Sequence, residues 1–125
     1  MISRGRPSYI EFKPGVKVKT AHGLPHIWLM IETALAAAPP VEADTVVVTE
    51  AWREPRHPDD AHSWCSAFDL RIRNIITSEG TLDAREAKAW VWVNRMRAEL
   101  DDPRYQFDVH GVGGNAHIHM EFDPR

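Results

Sequence analysis

The segment Ala116–Phe122 constrains this chain most. Apolar residues Ala116, Ile118, Met120 and Phe122 alternate there with His117, His119 and Glu121. Successive side chains of a strand point to opposite faces, so the pattern predicts a β-strand with one apolar and one ionisable face. Gln106–His110 alternates in the same way, with Phe107 and Val109 apolar. Between them lies Gly111-Val112-Gly113-Gly114-Asn115, a run of turn-forming residues. Together these features predict a β-hairpin. The fold must then bury Ile118, Met120 and Phe122 under other elements. The histidine face must be solvated or partnered, because unpaired ionisable groups are costly to bury.

Further elements follow from local pattern. Thr45–Thr49 is a β-branched run and reads as a buried strand. Ala67–Arg73 alternates, with Phe68, Leu70 and Ile72 on one face and Ala67, Asp69, Arg71 and Arg73 on the other. Val16 and Val18, between lysines, give a short strand pattern. Gly23-Leu24-Pro25 opens a helix in which Ile27, Met30, Ile31, Ala34, Leu35 and Ala38 recur at helical spacing. Pro39-Pro40 ends it. A second helix is predicted from Asp83, with Glu86 placed as in a capping box, to about Leu100 ahead of Pro103. The helical tryptophans Trp28, Trp90 and Trp92 are expected in the core. Residues 1–15, with Pro7 and Pro14 among charges, read as loosely structured or edge-like. Residues 53–61 read as a proline-bearing loop. The expected fold class is α+β, a single domain over residues 1–125. Its small, largely antiparallel sheet has helices packed on one face.

Composition narrows the function. A net charge of −3 disfavours dedicated nucleic-acid binding, which calls for a clustered positive surface. The single cysteine, Cys65, excludes an intrachain disulfide and a cysteine-rich zinc site. No apolar run reaches membrane-spanning length. Leu24–Ala38 is broken by Glu32 and starts late, so a buried helix is expected there instead of a signal peptide. The expected location is cytoplasmic as synthesised, with no membrane partner.

The ionisable residues carry the chemistry. His117, His119 and Glu121 share one strand face, which is either a solvated surface with two histidines or a metal-binding one. Asp69 lies between Phe68 and Leu70 and needs a partner. That partner is either an arginine (Arg71, Arg73 or Arg53) or a metal ion shared with the loop residue His62. Two imidazole nitrogens and one carboxylate oxygen, with an open fourth position, make a catalytic zinc site. An all-oxygen site for a hard cation fits less well. His22, His26 and His57 read as structural or solvated.

His62-Ser63-Trp64-Cys65-Ser66-Ala67-Phe68-Asp69 has H-x6-D spacing, and His117-Ile118-His119 supplies H-x-H. The pair resembles the zinc peptidases grouped with D-alanyl-D-alanine carboxypeptidases, lysostaphin-type enzymes and the hedgehog signalling domain. Short phage and bacterial peptidoglycan peptidases, including endolysins, are the nearest in character. The resemblance spans roughly residues 16–124, with Val47–Arg53 as the lead-in to the first motif and His117–Pro124 as the ending. It implies a hedgehog/D-Ala-D-Ala-peptidase-like fold and a Zn2+ ion held by His62, Asp69 and His119. It also implies His117 assisting beside the metal and Arg53 holding a substrate carboxylate or orienting the site. The implied activity is cleavage of peptidoglycan peptides, as a D-Ala-D-Ala carboxypeptidase or an L-Ala-D-Glu endopeptidase, at the bacterial cell wall after release. Three positions depart from the group: Asp60 replaces the motif serine, Cys65 the glycine, and Ala116 the glutamate three residues before the last zinc histidine. That leaves His117, His110 and Glu121 as candidate bases, with His110 able to approach His117 across the hairpin. The alternative expectation is a non-catalytic, zinc-stabilised binding module on the same fold.

Overall fold

The computed structural model describes residues 7, 9–16, 26–51, 67–111 and 116–123. In chain order they form β1 (Tyr9–Phe12), α1 (His26–Ala37), β2 (Thr45–Glu50), β3 (Ala67–Arg71), α2 (Leu82–Leu100), β4 (Tyr105–His110) and β5 (His117–Phe122). The five strands form one sheet in the order β1-β2-β3-β5-β4. β1 runs parallel to β2 and every other pair is antiparallel. The fold class is therefore α+β with a mixed sheet.

The alternation of β3, β4 and β5 sorts their residues into two faces. Phe68, Leu70, Phe107, Ile118, Met120 and Phe122 join Val46 and Val48 of β2 in the core. Both helices close that same core, α1 with Ile27, Met30, Ile31 and Ala34, α2 with Ala89, Trp92, Val93 and Met96. Trp92 is fully buried and its indole N–H donates to the Ala34 carbonyl at 3.1 Å, which pins α2 against α1. On β4, an edge strand, the Phe107 carbonyl accepts from Arg97 of α2 at 3.2 Å. Such cover blunts an edge that would otherwise template pairing with another chain.

Several expectations are corrected. The N-cap of α2 is Thr81, not Asp83. The Thr81 hydroxyl accepts from the Ala84 amide at 3.2 Å, and Asp83 falls in the first turn. There its carboxylate still meets the positive end of the helix dipole. α2 ends at Asp101, which takes a left-handed conformation (φ 46°) and donates its amide to the Arg97 carbonyl at 2.9 Å. Trp28 is 58% exposed and Trp90 40%, so of the helical tryptophans only Trp92 enters the core. They lie away from the stripes that Ile27, Met30 and Ala34, and Ala89, Trp92 and Met96, turn toward the sheet.

β3 stops at Arg71, short of the expected Arg73, because the chain turns at Arg73-Asn74. The Asn74 side-chain amide donates to the Thr45 carbonyl at 3.0 Å across that turn. Within residues 1–15, read as loosely structured or edge-like, Tyr9–Phe12 forms the edge strand β1. Val16 is outside any strand, and the remainder of its expected strand lies beyond the described residues. Among the described residues no helix is long and apolar enough to cross a membrane.

Candidate metal centre

With the helices on one side of the sheet, the alternate residues of β3, β4 and β5 occupy the other. The β3–β5 register sets Asp69 opposite His119 and Arg71 opposite His117. The β4–β5 register sets Asp108 opposite His119, His110 opposite His117 and Gln106 opposite Glu121. Directly opposed residues have Cβ atoms about 4.5–5.5 Å apart, within reach for side-chain pairing. In β2 a register irregularity between Val48 and Glu50 brings Glu50 opposite Asp69.

Asp69 is the centre of this arrangement and is only 6% exposed. Its Oδ1 lies 2.9 Å from His119 Nδ1, and its Oδ2 lies 3.5 Å from His117 Nε2. The other nitrogen of His119, Nε2, is 2.8 Å from Glu121 Oε1. His110 completes the group, its ring 4.4 Å centroid to centroid from His117 and 5.7 Å from His119. Asp108, which sequence reasoning did not single out, lies beside them. Its Oδ1 accepts from the Val109 amide at 2.9 Å. Only its alternation with Phe107 and Val109 signalled its face.

The electrostatics of the two flanking histidines differ in sign. For His119, burial disfavours the charged ring. The hydrogen bonds to Asp69 and Glu121, together with their negative charges, outweigh burial and push its pKa up to about 9. For His110, burial and then the neighbouring His117 and His119 lower the pKa below the ordinary histidine value. A ring that holds a proton firmly thus sits near one that releases it readily.

His62 and Arg53 lie outside the described residues. Of the six site residues expected from sequence, Asp69, His110, His117 and His119 are therefore described, and all four lie on this one sheet face. Among the described residues no set of three or more His, Cys, Asp or Glu side chains forms a metal site by itself. The chemistry of the donor set nevertheless suits zinc. Ligands about 2.0–2.2 Å from a tetrahedral ion stand roughly 3.3 Å apart. Asp69 Oδ1 and His119 Nδ1, the two described members of the expected ligand set, stand 2.9 Å apart, a hydrogen-bonded separation that need widen by only a few tenths of an ångström to admit the ion. His26 has a structural setting, stacked on Phe122 at 3.6 Å between centroids with Nδ1 3.4 Å from the Tyr105 hydroxyl.

Comparison of the chain with protein-family models, with curated proteins and with solved structures finds no match.

Proposed function

We propose that this chain is a zinc-dependent metallopeptidase that hydrolyses amide bonds in peptidoglycan peptides, with His62, Asp69 and His119 as metal ligands. The observation that carries the reading is the meeting of a buried carboxylate with two imidazoles on the sheet face opposite the helices. The H-x6-D and H-x-H motifs support it. β3 and β5, which carry Asp69 and His119, are neighbours in the sheet although α2 and β4 separate them in sequence. The hedgehog/D-Ala-D-Ala-peptidase type of fold belongs to the same proposal.

Zinc held there would polarise the scissile carbonyl and make hydroxide accessible near neutral pH, since it lowers the pKa of water to about 7. The chain's own residues supply proton handling and orientation. His117, whose Nε2 lies 3.5 Å from Asp69 Oδ2, is assigned the stabilisation of charge developing on the carbonyl oxygen. His110, in contact with His117, is kept neutral by its lowered pKa and can accept a proton at neutral pH. Arg53 is assigned the substrate carboxylate, which its guanidinium can grip in a forked geometry. That choice of substrate rests on resemblance.

One observation favours a second reading. Where carboxypeptidases of the resembled group carry a glutamate base, this chain has Ala116, buried and without a titratable group. A zinc-stabilised binding module would need no base. Elemental analysis of zinc-reconstituted protein, followed by digestion of a broad muropeptide panel, separates the two. The peptidase releases new amines and a chelator stops it. Zinc-loaded protein that cleaves no stem peptide or cross-bridge favours the binding module over the peptidase. Absence of zinc overturns both.

A further inference from the structure

A histidine that ligates a metal must present a lone pair on one ring nitrogen while the other keeps its hydrogen. Which nitrogen faces the metal depends on what the other one meets. On His119 the two nitrogens meet different carboxylates: Nδ1 faces Asp69 Oδ1 at 2.9 Å, and Nε2 faces Glu121 Oε1 at 2.8 Å. Asp69 comes from the neighbouring strand and is also within 3.5 Å of His117 Nε2. Glu121 comes from the same strand, two residues further on, on the side of His119 away from that meeting point. Its partners across the sheet are Ala67 and Gln106, neither of which carries a charge that would draw its carboxylate elsewhere.

We propose that Glu121 is a positioning residue that accepts a hydrogen bond from His119 Nε2–H and so makes Nδ1 the nitrogen offered to the metal. The inference rests on the zinc reading above and deepens it. The strand geometry makes the contact possible. Residues two apart project from the same face with Cα atoms separated by roughly 6.6–6.8 Å, a gap that a glutamate side chain spans and an aspartate spans poorly. A carboxylate acceptor on the second nitrogen both fixes the ring orientation and raises its basicity as a ligand. The alternation of His117, His119 and Glu121 therefore has divided roles: one residue ligates, one assists, and one aims the ligand.

The test combines spectroscopy with metal affinity. Long-range 1H–15N correlation spectra of the zinc-loaded wild-type protein should show His119 protonated at Nε2 and metallated at Nδ1. The reverse assignment overturns the proposal and needs no variant. In a competition titration against a chromophoric zinc chelator, Glu121→Ala should weaken zinc binding by about 10–100-fold. Glu121→Gln should recover most of the loss, because its amide oxygen can still accept from Nε2–H. Zinc affinity unchanged in Glu121→Ala overturns the positioning role alone. Failure of the wild-type protein to take up zinc overturns the metal reading itself and this inference with it.

Discussion

If zinc binds at His119, it must displace a proton that the metal-free site holds firmly. The pKa of His119 is pushed up to about 9, because two carboxylates grip its ring against the opposing effect of burial. At pH 7 the neutral form is then roughly one part in a hundred, and apparent zinc affinity should be ~100-fold below its limiting value on this account alone. Between pH 7 and 8.5 the logarithm of the apparent association constant should rise with a slope of about one from His119, flattening above pH 9. The assay is a chelator competition series corrected for the chelator's own protonation. Calorimetry in buffers of different ionisation enthalpy should show, in parallel, about one proton released per zinc at pH 7. An affinity independent of pH from 7 to 8.5 refutes the reasoning. It would mean that zinc displaces no proton from His119 over that range, so that either the ring is not a ligand or the metal-free site does not hold its proton up to about pH 9.

Other expectations address stability and roles. His119 has a folded-state pKa raised above the ordinary 6.5, so its contribution to the metal-free protein is complete below pH 6.5 and lost as pH rises through about 9. Thermal melts with zinc removed should show this loss in the wild type, and His119→Gln should lack it. His119→Ala should lose zinc and turnover together, whereas His117→Ala should retain zinc by elemental analysis yet lose turnover. Equal zinc loss in both variants would make either His117 the ligand or both histidines ligands. Trp92→Ala, which deletes a fully buried indole and its bond to the Ala34 carbonyl, should cost about 3–5 kcal/mol in denaturant unfolding. Thr81→Ala removes the α2 cap and should cost about 1 kcal/mol in the same measurement.

Local periodicity carried much of the fold. The two-residue alternation of Ala67–Arg71, Tyr105–His110 and His117–Phe122 determined which side chains share a face. Within β5 it put His117 and His119 on one face, while Asp69 was joined to them by the family resemblance and His110 by the predicted hairpin. The stripe from Ile27 to Ala34 likewise determined the buried side of α1. Other features depend on residues far apart in sequence. Alternation does not say which strand lies beside which, and only the tertiary structure set β3 next to β5. It also chose the register that puts Asp69 opposite His119 and His110 opposite His117. A slip of one residue would have turned Asp69 into the core and Phe68 out of it, so burial of the apolar face selects the register that assembles the site. The exposure of Trp28 and Trp90 was settled the same way, whereas the Thr81 cap of α2 is a local contact to the Ala84 amide. Propensity permits several buried tryptophans, but packing against a particular sheet admits one set, because the area of the sheet's apolar face is finite.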